Sequence, residues 1–98
     1  MTFGKAIKAI KAGKAVARSG WNGKGMCIYL VNGAHDFTGS AGNITEISNI
    51  DSDLFDRGQK GIITRLPHIN MRTANGTILT GWLASQSDIL AMDWQIVN

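Results

Sequence analysis

The stretch Pro67-His68-Ile69-Asn70-Met71-Arg72-Thr73-Ala74-Asn75-Gly76-Thr77-Ile78-Leu79-Thr80-Gly81-Trp82-Leu83 decides the fold. From His68 to Thr73 polar and apolar residues alternate, the period of a half-buried strand. Asn75-Gly76 is the dipeptide that favours a two-residue hairpin turn, because both of its positions accept a positive φ. Thr77 to Leu83 is then the returning strand. An antiparallel hairpin in so short a chain makes an antiparallel sheet the framework to which the other segments are fitted.

Working outward, Ser85-Gln86-Ser87-Asp88 reads as a capping box with aspartate in place of the usual glutamate. A short helix starts near Ser85 or Ser87, and Trp94-Gln95-Ile96-Val97 is a last strand. Upstream, Met26 to Val31 has the β-branched and aromatic content of a buried strand, and Lys14 to Arg18 is a shorter one. Between them, Ser19 to Gly25 is glycine-rich and must turn. Phe3, Ile7 and Ile10, with Ala6, form one apolar helical stripe, with Lys5, Lys8 and Lys11 pointing away from it. Thr2 is the expected N-cap, and Gly13 sits where a left-handed residue ends a helix. Ala34 to Gly61 is expected to be a long irregular insertion, with a short helix suggested by Ile44, Ile47, Ile50 and Leu54. The expected class is α+β: a small antiparallel β-sheet of about four or five strands, an N-terminal helix and short helices in one domain.

Ninety-eight residues, 44% of them hydrophobic, suffice for one core. No apolar run reaches the ~18 residues of a membrane span, and the N-terminus lacks the apolar stretch and cleavage site of a signal peptide, which predicts a cytoplasmic protein. The net charge of +3 favours anionic partners only mildly. Cys27 sits in an apolar run, where cysteine behaves as a small hydrophobe. With one cysteine and with His35 and His68 far apart, no zinc site is expected. Asp51-Ser52-Asp53 lacks the glycine and glutamate that a calcium loop requires. Gly20-Trp21-Asn22-Gly23-Lys24-Gly25 lacks the ending and spacing of a P-loop. No cofactor is expected.

Chemistry has little to work with. His35 beside Asp36, and His68 after Pro67, fall in no motif that specifies a reaction, so an enzyme is disfavoured. Binding has more. Trp21, on a glycine-framed loop between Arg18 and Lys24, suits stacking on a base while the cations meet a phosphate; it equally suits folding back as a core plug. Trp82 and Trp94 are expected in the core. The N–H groups and hydroxyls of Ser85, Gln86 and Ser87 suit either a phosphate or simple capping. These features leave open a small nucleotide, a single-stranded nucleic acid, or a hydrolase acting on such a ligand.

Phe3-Gly4-Lys5-Ala6, Gly13-Lys14 and Val16-Ala17-Arg18-Ser19-Gly20-Trp21-Asn22-Gly23-Lys24, followed by Pro67 to Gly76 and Trp82 to Trp94, resemble the Thoeris anti-defence protein 2 family of phages. The resemblance covers residues 1–33 and 66–98. It implies a non-enzymatic sponge, a homotetramer with pockets between subunits, acting in the cytoplasm of the infected bacterium. Such a protein holds the glycocyclic ADP-ribose signal of Thoeris immunity intact, and some members also take cyclic dinucleotides. No nucleic acid and no membrane is implied as partner. On this reading Trp21 stacks on adenine. Asn22, Gln86 and Asp88 meet ribose hydroxyls, and Arg18, Lys24 and the Ser85–Ser87 helix start meet pyrophosphate. Asp36, Phe37 and Thr38 are further expected contacts. Competing with an effector calls for nanomolar affinity, about −12 kcal/mol, and hence for a pocket that buries most of the ligand.

Overall fold

A computed structural model describes residues 1–37 and 62–97, which fall into two units, one of residues 1–32 and 67–98 and one of residues 33–66. The first unit opens with helix α1 (Phe3–Lys11), capped by the Thr2 hydroxyl, which accepts from the Lys5 N–H. Gly13, at φ +88°, ends it in the left-handed conformation expected of a terminal glycine. Strands β1 (Val16–Arg18) and β2 (Cys27–Val31) follow.

The second unit contains β3 (Ala34–Phe37) and β4 (Ile62–Arg65), paired antiparallel with Phe37 opposite Ile62. The expected irregular insertion therefore begins with a strand: Asp36 and Phe37 are ladder residues, because β4 supplies backbone partners that a loop reading does not foresee. The helix suggested by Ile44 to Leu54 lies outside the described residues, as does Thr38.

The first unit resumes with β5 (His68–Arg72), β6 (Ile78–Leu79), α2 (Gln86–Leu90) and β7 (Trp94–Ile96). Its sheet has the order β6-β5-β2-β1-β7, and every neighbouring pair is antiparallel. The hairpin forms, but with a three-residue loop. Arg72 faces Ile78, the Thr73 N–H donates to the Thr77 carbonyl, and Ala74-Asn75-Gly76 turns the chain with Gly76 at φ +90°. One residue in αL after a type I turn matches the strand twist as well as a primed two-residue turn does. The returning strand is also shorter than expected, because Gly81 at φ +81° breaks the ladder and the Asn70 side chain accepts its N–H.

Register places Val16, Ile28 and Met71 on one face of the sheet. These residues and Trp94 bury against Ala6 and Ile10 of α1, forming the core. The alternating set, Ala17, Cys27, Arg72 and Gln95, belongs to the opposite face. Cys27 is half-buried and free. Among the described residues no helix is long and apolar enough to cross a membrane.

Candidate functional site

Arg18 ends β1 directly opposite Trp94 of β7, and this pairing brings the site together. Its guanidinium donates from Nε to Asp93 Oδ1 at 2.8 Å and from Nη1 to Asp88 Oδ1 at 2.9 Å. Asp93, just before β7, also accepts the Gly20 N–H at 2.8 Å and so fixes the start of the β1–β2 loop. Asp88 holds more. Its Oδ1 accepts the Trp21 indole N–H at 3.2 Å, and its Oδ2 accepts the Ser85 backbone N–H and hydroxyl at 3.2 and 2.9 Å. Its backbone carbonyl accepts the Trp94 indole N–H at 2.9 Å. The capping box predicted from Ser85 to Asp88 is present, with both reciprocal bonds made.

The electrostatics follow from this geometry. Burial works to raise the Asp88 pKa, but the hydrogen bonds from Arg18, Ser85 and Trp21 outweigh it and leave the carboxyl below its ordinary range. The Arg18 hydrogen bond does the same for Asp93, and the two carboxylates in return raise the pKa of Arg18. One guanidinium thus serves two carboxylates, and its charge is already compensated within the chain. Every buried side-chain nitrogen and oxygen among the described residues has a hydrogen-bond partner.

Trp21 is half-buried, not free on its loop. Its ring meets Trp94 edge-on at 5.3 Å and 80°, and Trp82 at 6.3 Å and 65°. Trp82 and Trp94 meet at 6.4 Å and 82°, completing a three-tryptophan cluster, and Phe3 packs on Trp94 at 5.4 Å. Such edge-to-face pairs place the positive edge of one ring against the negative face of the next.

On the sheet face opposite α1 lies a cavity of about 440 Å³, partly open to solvent. Arg18, Trp21 and Lys24 line it, as the base-and-phosphate reading expects, together with Met26, Cys27 and Gln95. Asn22 is exposed on the same loop but does not line the cavity; nor do Ser85, Gln86, Ser87 and Asp88. Asp88 acts behind Trp21 and Arg18, and Gln86 and Ser87 are exposed on α2. Asp36 and Phe37 belong to the other unit.

Sequence reasoning missed Asp93 and Gln95. For Gln95 the signal was available: alternation along β7 turns it away from Trp94 and onto the face of Ala17, its register partner. For Asp93 only the fold reveals the contact, because 75 residues separate it from Arg18.

The family model of the Thoeris anti-defense 2-like domain matches residues 1–97, so the similarity extends across the middle segment that the sequence motifs left uncovered. The Thoeris anti-defense 2 protein of Bacillus phage SP01 is 34% identical over 101 residues, spanning 100% of this chain and 96% of the relative. The chain belongs to the Thoeris anti-defense 2-like family.

Proposed function

We propose that this phage-type anti-defence protein is a sponge, binding a cyclic nucleotide immune signal without degrading it and so keeping the effector of the defence system silent. The ligand that fits this role is glycocyclic ADP-ribose, with cyclic dinucleotides as further candidates. Sequestration requires affinity and abundance but no stabilisation of a transition state.

The observation that carries this reading is the meeting of an indole and a lysine on one cavity of about 440 Å³. That volume lies within the range of small-molecule sites, and the lining supplies a stacking surface for a base beside a lysine for phosphate. Because the cavity is partly open, one chain leaves a bound nucleotide partly in water. A second subunit supplies the missing wall. Four apolar residues within ten positions favour such assembly: Leu83 is 88% exposed, Leu90 76%, Met92 71% and Ile89 47%. Exposed apolar residues grouped in this way are typical of surfaces that become interfaces.

Calorimetry against glycocyclic ADP-ribose, cyclic dinucleotides and a short single-stranded RNA tests the reading. Saturable nanomolar binding of a cyclic nucleotide with modest salt dependence is expected. Affinity that grows with strand length and falls steeply with salt would instead indicate a nucleic-acid binder. Light scattering should give a mass of several subunits.

A further inference from the structure

The charges around the cavity are not equivalent. Arg18 faces it, yet its guanidinium is divided between Asp88 and Asp93 and brings no surplus positive charge to a ligand. Arg72 differs. It ends β5 directly opposite Cys27, which lines the cavity, and its side chain is exposed on the same sheet face. Its Nη1 donates to the carbonyl of Gly25, another lining residue, at 3.0 Å. Among the described residues, no carboxylate pairs with Arg72. That one backbone contact leaves most of the five N–H donors of the fork available.

Two glycines keep this guanidinium bare. Gly25, at φ +78°, passes so close that a Cβ there would stand 2.6 Å from Nη1. Gly76, at φ +90° in the hairpin loop, would place a Cβ 3.6 Å from Nη2. No side chain from either position screens the fork, and the exposed Lys24 adjoins Gly25 at the cavity.

We propose that Arg72 and Lys24 form the phosphoryl-binding end of the cavity and take a pyrophosphate or a similarly paired phosphate group. Arg18 holds Trp21 and the loop in place through its two carboxylates. The planar fork of Arg72 matches two phosphate oxygens at once, and Lys24 adds a mobile point charge. This rests on the cavity being the ligand site of the proposed sponge, but it can be tested without the cyclic ligand.

The test is a titration of the isotope-labelled protein with inorganic pyrophosphate, followed by NMR, with sodium chloride at matched ionic strength as control. Saturable shifts are expected at the Gly25 and Gly76 amides and at the Arg72 Nε–H. Arg72→Gln should abolish them and weaken glycocyclic ADP-ribose binding about tenfold or more. Arg72→Lys, which retains the charge, should keep part of the response, and Lys24→Gln should reduce it without disturbing the fold. Absence of shifts in the wild type, or shifts that persist in a folded Arg72→Gln protein, would overturn the proposal. Pyrophosphate shifts that depend on Arg72 support it even if no cyclic nucleotide binds, in which case only the sponge reading falls.

Discussion

The Trp21 indole N–H donates to Asp88 Oδ1 at 3.2 Å, joining a glycine-rich loop to the first turn of a helix 67 residues further along. Asp88 also receives Arg18, so one carboxylate sets the orientation of the aromatic and of the cation that line the cavity. The ring is therefore held at a fixed angle at the cavity wall, in edge-to-face contact with Trp82 and Trp94. Holding a stacking surface rigid before binding lowers the ordering cost of association.

Because Trp21 is both a wall of the cavity and a member of the tryptophan cluster, Trp21→Ala should cost about 2–4 kcal/mol of stability as well as ligand affinity. Trp21→Phe retains an aromatic face but loses the donor to Asp88, and should cost only about 1 kcal/mol. Thermal unfolding beside calorimetry separates the two contributions. A Trp21→Ala protein with wild-type stability would show that the cluster packing contributes little.

Ser85→Ala removes both its capping bond to the Asp88 N–H and its hydroxyl bond to Asp88 Oδ2. Loss of a serine cap typically costs about 1 kcal/mol. The midpoint of denaturant unfolding should fall accordingly at unchanged slope, and amide exchange in α2 should quicken.

The two carboxylates also predict the response to acid. Both have pKa values depressed in the folded state, so they contribute stability that is fully present above the unfolded value of about 4. That contribution is lost as the pH falls through their folded values. The unfolding temperature should stay level from neutrality to about pH 5 and drop below about pH 4. Asp93→Asn should lower it at neutral pH and flatten the acid drop. An unaltered acid drop in that variant would show that the Arg18 pair is not its source.

Gly25→Ala tests the contact between the loop and Arg72. A left-handed backbone costs a non-glycine residue about 1–2 kcal/mol, and the added Cβ displaces the guanidinium. Lower stability together with weaker ligand binding is expected, whereas Gly13→Ala, with nothing within 4 Å of the added carbon, should affect stability alone.

Much of the fold was legible because local rules suffice for it. Thr2, Gly13 and the Ser85 to Asp88 box cap helices where expected, alternation gives β5, and the burial tendency of tryptophan gives Trp94. The turn is one residue longer than the sequence suggests, since Asn75-Gly76 serves a three-residue loop as well as a two-residue one. Strand β3 was hidden because its partner β4 lies beyond a 24-residue gap, and the Ala34-His35-Asp36-Phe37 stretch has no strong period of its own. At the site, Arg18, Trp21 and Lys24 were recognised as residue types suited to a nucleotide and do share a cavity. That Asp88 serves Trp21 and Arg18, that Asp93 compensates Arg18, and that Arg72 reaches Gly25 all depend on contacts distant in sequence.

A sponge differs from a hydrolase in binding its ligand without converting it. Purified protein should be incubated with glycocyclic ADP-ribose until the signal is fully bound, then heat-denatured, and the released small molecule examined by chromatography and by its power to activate the effector. The sponge reading predicts complete recovery of intact, active signal at every incubation time. Progressive loss of the signal, with a linear or hydrolysed product in its place, would contradict it.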